Sequence, residues 1–215
     1  MRVRPILILI LLTTSVAIIG WMYYAVLRTI DKEPKHSHHK VITDLDACCR
    51  DKHIKSAQYA HFASVAEQEN LPSALGLFRA LAHSERIQEH YCALVIHRLG
   101  GHYTPPKRIL LFRGNTASNL LRSIALEQMR PDTLLHQHIG RHLYGGNRMA
   151  AQALIWAAAA DRQHLLLLQQ AHAALCTDHT MRYTVCPRCG NIYQLDSQDP
   201  FCPHCLTDSR EFVLF

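Results

Sequence analysis

Glycine and proline are scarce, nine of each among 215 residues, and no acidic residue precedes Asp31. The first shortage argues against collagen-like, low-complexity and disordered classes. A chain that is 48% hydrophobic and 19% charged has enough apolar surface to offset the entropy of ordering. The length excludes a large multidomain enzyme and allows one or two domains with a real core. The lack of early acids matters for charge. The formal net charge is +6, but Arg2, Arg4 and Arg28 flank one apolar run, and the rest of the chain carries 20 basic and 17 acidic groups. That near balance gives no reason to expect a nucleic-acid partner.

Charge is also missing from Ile6 to Leu27, twenty-two residues that would reach about 33 Å as a helix, against roughly 30 Å of hydrocarbon core. The run predicts a transmembrane anchor over residues 1–28 and a single-pass membrane location, with Trp21, Tyr23 and Tyr24 at the interface and Arg28 closing the span. Arg2 and Arg4 with Ser15-Val16-Ala17 also fit a cleaved signal peptide, yet the apolar run continues ten residues past Ala17, which favours the anchor. Arg28, Lys32, Lys35 and Lys40 favour a cytoplasmic body, whereas a short basic N-terminus favours export. The balance leans slightly to the extracytoplasmic side and leaves the cytoplasmic side open. Residues 29–42, with Pro34 and His36-Ser37-His38-His39-Lys40, read as a polar linker.

Helical periodicity then fills four long segments. The first, about 43–69, carries an inward stripe of Leu45, Cys48, Lys52, Ser56, Tyr59, Ala63 and Ala66, in which only Lys52 is out of place. The second starts at Pro72, passes Leu77, Leu81, Glu85, Gln88, Cys92 and Val95, and stops at Gly100-Gly101. Thr116 can cap the third, which passes Leu120, Ile124, Glu127 and Arg130 before Pro131 kinks or ends it. The fourth runs from about Asn147 through Leu154, Asp161 and His164 to about Leu175. Lys52 precedes Glu85 by 33 residues, Glu127 precedes Asp161 by 34, and the two hairpins are offset by 75 to 76. Two such hairpins give a four-helix bundle with a crossing connection over about 100–115. Its core holds carboxylates and a histidine, which demand partners because unpaired buried charge is costly.

The C-terminal segment holds Cys186-Pro187-Arg188-Cys189-Gly190 and, twelve residues on, Cys202-Pro203-His204-Cys205. Two such knuckles place four thiolates around one tetrahedral ion, the geometry of structural zinc and of sulfur-bound iron. Short strands around Tyr183, Ile192-Tyr193 and Phe212-Val213-Leu214 make a unit too small to fold well without the ion. Cys48, Cys49, Cys92 and Cys176 remain, without a connectivity that the sequence can give.

Together with Tyr59-Ala60-His61-Phe62-Ala63, Leu77-Phe78-Arg79-Ala80, Gly146-Asn147-Arg148 and Asp161-x-x-His164, these features resemble the rubrerythrin family over about residues 43–215. The resemblance implies a mainly α fold, a ferritin-like four-helix bundle over 43–178, followed by a small rubredoxin-like metal-binding β domain over 179–215. It implies a homodimer and a redox partner protein as well. In that family each hairpin supplies a carboxylate from its first helix and a Glu-x-x-His pair from its second, aimed at a shared di-iron centre. Glu85, Glu127 and His164 stand at such positions, and Asp161 is a shortened carboxylate at a fourth. Lys52, Gln88 and Arg130 stand where a glutamate, a histidine and a further glutamate belong.

Two functions are open on this pattern. In one, the chain is an oxidoreductase in which iron on Cys186, Cys189, Cys202 and Cys205 passes electrons to a bundle metal that reduces peroxide. In the other, the bundle is a non-catalytic scaffold in which Lys52 and Arg130 pair with Glu85, Glu127 and Asp161, and the four-Cys ion is structural zinc. Exchanging two carboxylates for two cations adds about four units of charge, what two divalent ions would bring, and buried charges persist when paired. A single metal on Glu127, Asp161 and His164 lies between these extremes.

Overall fold

The computed structural model describes residues 17–24, 36–129, 132–175 and 181–215. Residues 17–24 form a helical stretch, α1. The helices α2 (His36–Gln68), α3 (Pro72–Arg98), α4 (Thr116–Gln128), α5 (Asp132–Tyr144) and α6 (Arg148–Ala173) follow. A three-stranded antiparallel sheet in the order β2-β1-β3 closes the chain, built from β1 (Tyr183–Val185), β2 (Ile192–Gln194) and β3 (Val213–Leu214). The chain divides into two compact units, 1–39 and 40–215, and both groups of candidate metal ligands lie in the second.

The expected single-pass membrane location is corrected here. Among the described residues no helix is long and apolar enough to cross a membrane. Of the span expected over Ile6 to Leu27, α1 covers eight residues, about 12 Å of helix against roughly 30 Å of hydrocarbon, and the rest lies outside the described residues. The extracytoplasmic assignment falls with it.

The linker expected over 29–42 also differs, since α2 is already helical at His36. Val41, 3% exposed, and Leu45 join a core cluster with Cys92, Val95 and Ile96 of α3 and Leu154 of α6. That packing rewards a helix start earlier than the polar composition suggests. Pro72 opens α3 with a missing N–H where none is needed, and Gly100, at φ 79°, lets the chain leave the helix. The cap of α4 is Asn115 rather than Thr116, its side chain accepting from Ser118 N at 2.9 Å. Pro131 lies outside the described residues, after α4 ends at Gln128 and before α5 begins at Asp132.

The crossing connection is tied down by polar contacts. Gln58 of α2 donates to Phe112 O at 3.0 Å and accepts from Phe112 N at 2.8 Å, and Glu69 accepts from Thr116 N at 2.9 Å. Phe112 itself packs edge-on against Phe62 at 6.4 Å. The sheet does not stand apart from the helices: Tyr183, Val185 and Ile192 belong to the same core cluster as Phe62, Leu77, Phe78, Leu81 and Leu168. Bundle and four-cysteine segment therefore share one hydrophobic core, which positions the two candidate sites against each other.

Candidate metal centres

The two cysteine knuckles repeat one local geometry. Gly190 N donates to Cys186 O at 3.0 Å and Leu206 N to Cys202 O at 2.8 Å, with Gly190 at φ 79° and Leu206 at φ 60°. Only the first needs glycine for space as well, because a Cβ there would stand 2.9 Å from Ser84 O. The knuckles bring Cys186 Sγ to 3.4 Å from Cys205 Sγ, and Cys189 Sγ to 3.5 Å from Cys202 Sγ. Four sulfurs around one ion at about 2.3 Å would lie about 3.8 Å apart, so the group fits a tetrahedral metal with small adjustment. The same residues show why an ion is called for. The hydrogen bond from Cys189 pulls the Cys186 thiol down to about 4, while that bond and burial drive Cys189 far up. Without a cation these close sulfurs cannot all ionise.

Further groups orient the sulfurs. Tyr193 Oη lies 3.2 Å from Cys202 Sγ and Thr207 Oγ1 lies 3.2 Å from Cys205 Sγ. Trp156 of α6 packs against Cys186, Cys189 and Cys202, and its indole N–H donates to His204 O at 3.3 Å. Three of the cysteines are buried and Cys205 is half-buried.

The bundle centre gathers Glu85 of α3, Glu127 of α4, and Asp161 and His164 of α6, with one potential ligand atom from each within 4.8 Å of the others. Lys52 of α2, 1% exposed, projects into this group: its Nζ lies 2.6 Å from Asp161 Oδ1 and 3.0 Å from Glu85 Oε2. Lys55, one turn on, contacts Glu127 Oε1, Asp161 Oδ1 at 3.1 Å and Glu85 Oε1 at 3.4 Å. Tyr59 donates to Glu127 Oε1 at 3.1 Å. Burial pushes the Glu85 carboxyl up, but Lys52 and Lys55 more than offset this and hold it at about 2. Burial likewise lowers Lys52, and Asp161 and Glu85 reverse that, leaving it above its usual value. The ammonium groups thus occupy the coordination space of the carboxylates. A pair of divalent ions does not fit this donor set, because its anionic charge is already answered from within the chain.

Arg130 lies outside the described residues, and the second cation seen at the centre is Lys55. Its signal was present in the sequence, since Lys52-x-x-Lys55 has the same i, i+3 spacing that puts Asp161 and His164 on one face. Gln88 is buried but turns from the carboxylates, donating to Ser84 Oγ at 3.1 Å and bordering Gly190. Ser84, which the sequence pattern did not single out, joins the two centres. Its hydroxyl donates to Gly190 O of the first knuckle and lies 2.9 Å from His164 Nε2. A serine has one proton to give, so His164 Nε2 is the donor in that contact. His164 Nδ1 faces Glu85 Oε1 at 3.3 Å.

A mainly helical bundle joined to a four-cysteine β unit, with a carboxylate and histidine group at the bundle centre, defines the class of fold. Solved structures of nigerythrin, a rubrerythrin, share it. The fully reduced, all-ferrous form superimposes with a TM-score of 0.73 at 22% identity, covering 81% of this chain and 86% of that one. The mixed-valence form gives 0.73 at 20% identity and the partially reduced form 0.72 at 22%, each over 81% of this chain and 86% of that one. At this identity the likeness establishes the fold. No protein-family model matches the chain, and no curated protein matches it.

Proposed function

We propose that this chain is a rubrerythrin-like metalloprotein that carries a single metal, iron, on Cys186, Cys189, Cys202 and Cys205 and works as a one-electron carrier, with the bundle as a metal-free scaffold. The observation that carries this reading is the placement of Lys52 and Lys55 among Glu85, Glu127 and Asp161. Nigerythrin, whose fold this chain shares, has been solved in all-ferrous and mixed-valence states, which favours iron at this chain's sulfur site. Iron held by four thiolates supplies one-electron chemistry. The chain's own part is to hold the sulfurs at fixed spacing, to donate hydrogen bonds from Tyr193 and Thr207 to two of them, and to leave Cys205 half-buried as the edge nearest a partner.

A second reading makes the ion structural zinc. It is favoured by Tyr183, Val185 and Ile192, which bind the cysteine segment into the bundle core, so that the ion would staple the C-terminus to the helices. Metal analysis of the purified protein separates the readings. One iron per chain with visible absorption supports the carrier, and one colourless zinc supports the staple. Two further irons per chain would mean that the lysines yield to metal, and the scaffold assignment would fall.

A further inference from the structure

One turn before Lys52 the bundle core carries sulfur in place of charge. Cys48 of α2 and Cys92 of α3 stand with their Sγ atoms 3.7 Å apart, although 44 residues separate them in the chain. Cys49 also approaches Cys92, but its Sγ donates to Glu89 O at 3.6 Å. None of the three belongs to the four-cysteine group. We propose that Cys48 and Cys92 form a reversible disulfide that clamps α2 to α3 beside the lysine–carboxylate network.

Geometry selects this pair. A disulfide needs its sulfurs at about 2.05 Å, which rotation about two Cα–Cβ bonds can reach when the helices already hold them in contact. Cys48 and Cys49 are neighbours on one helix, where successive side chains point about 100° apart and do not face each other. Cys49 is fully buried and engaged with a backbone carbonyl, whereas Cys48 is half-buried and is the more open of the two to a small oxidant, although the Cys92 contact and burial hold its thiol above the usual value and slow its oxidation. Cys92, 1% exposed, lies behind it as the resolving thiol.

A hydroperoxide is small enough to use that entry. The Cys48 sulfur attacks one oxygen of hydrogen peroxide, the O–O bond breaks, and the products are Cys48 sulfenic acid and one water that takes up the thiol proton. The Cys92 sulfur then attacks the Cys48 sulfur, the S–O bond breaks, the S–S bond forms, and the hydroxyl leaves as a second water with the Cys92 proton. Two thiols have given two electrons to one peroxide. A dithiol reductant reverses the state by exchange. The bond would fix the spacing of the two helices that carry Lys52 and Glu85, and it does not depend on which metal the four-cysteine site holds.

The test is thiol mapping of the full chain after treatment with hydrogen peroxide, under non-reducing conditions. A Cys48–Cys92 cross-link, lost on adding dithiothreitol, is the expected result, with a thermal midpoint raised by a few degrees in the oxidised form. Cys48 and Cys49 fall between the same two basic residues, so Cys49→Ser should keep the cross-link and Cys48→Ala should abolish it. A link through Cys49, a Cys48–Cys49 disulfide, or oxidation of Cys48 to sulfinic acid without a link would overturn the proposal. Fragmentation of the cross-linked peptide from the natural chain assigns the link to Cys48 or Cys49 even where a variant fails to fold.

Discussion

Among the described residues, two groups of four side chains could each converge on one ion, and they differ in how their charge is balanced. The cysteine group presents sulfurs 3.4 to 3.5 Å apart, supported by hydroxyl groups from Tyr193 and Thr207. The bundle group presents Glu85, Glu127, Asp161 and His164 at comparable spacing, but two lysines of α2 enter it. Donor type and distance alone would score both as metal sites. Charge separates them: one group is incomplete without a cation, and the other has grown its own.

The sharpest break of that comparison comes from Cys202→Ser. In small sulfur sites the metal contributes on the order of 10 kcal/mol to folding, so this change should release the ion and unfold residues 181–215. Because Tyr183, Val185 and Ile192 sit in the bundle core, the helices should lose stability too. Metal content and hydrogen exchange over the segment check this, and a variant that keeps both would show that the ion is dispensable.

On the bundle side, Lys52→Met removes a buried ammonium and strips Glu85 and Asp161 of their shortest ion pairs. Breaking a buried pair from one side costs about 3–5 kcal/mol, measured as a fall in the urea midpoint with chelator present. Ferrous iron should not restore it. The double change Lys52→Glu with Lys55→Gln should do the opposite and let the bundle centre bind a divalent metal. Iron bound by the natural bundle, or recovered by Lys52→Met, would erase the distinction between the two centres.

Titration gives a milder version of the same contrast. Glu85 is held at about 2, below its ordinary value of 4.5, so its contribution is fully present above pH 4.5 and is lost as pH falls towards 2. Lys52 is held above its ordinary value of 10.5, so its contribution is fully present below that pH and is lost on raising it further. With chelator present, this ion network should leave the urea midpoint flat between about pH 5 and 10. A loss of stability on going from pH 7 to 5 would mean that something other than the lysines balances the carboxylates.

These residues also show how far the sequence could be read. Helix positions, the cysteine knuckles and the carboxylate register follow from local spacing, and Lys52 stood out because a charge interrupted an apolar stripe. Lys55 showed only that it shares a face with Lys52, and Ser84 showed nothing, since the partners of each arrive from other parts of the chain. Lys55 meets Glu127 and Asp161 across 72 and 106 residues of chain, and Ser84 meets Gly190 across 106. The apolar run before Arg28 shows the converse error. Its composition reads as a membrane address, yet no described helix is long and apolar enough to cross.

Ser84→Ala tests the junction that neither motif announced. It leaves Gly190 O and His164 Nε2 without their shared hydroxyl in a fully buried setting, which should cost about 1–3 kcal/mol. The metal should stay bound, because the knuckle keeps its own hydrogen bond from Gly190 N to Cys186 O. Loss of metal together with stability would mean that the bundle contact, and not the ion, sets the knuckle.

The smallest effect on stability should come from Tyr193→Phe, and it is also the change that separates an electron carrier from a staple. The ring is stacked on Phe212 at 5.5 Å, so phenylalanine keeps the packing and only the hydroxyl 3.2 Å from Cys202 Sγ is lost. One such bond contributes about 0.5–1.5 kcal/mol. A hydrogen bond to a metal-bound sulfur stabilises the more negative, reduced state, so with iron its removal should lower the reduction potential while the thermal midpoint hardly moves. Voltammetry of the natural chain and the variant, paired with thermal melts, reads both quantities. A potential that does not shift would mean that the hydroxyl plays no part in tuning the centre, and a site filled with zinc would give no redox wave in either protein, leaving only the small change in stability expected of a structural ion.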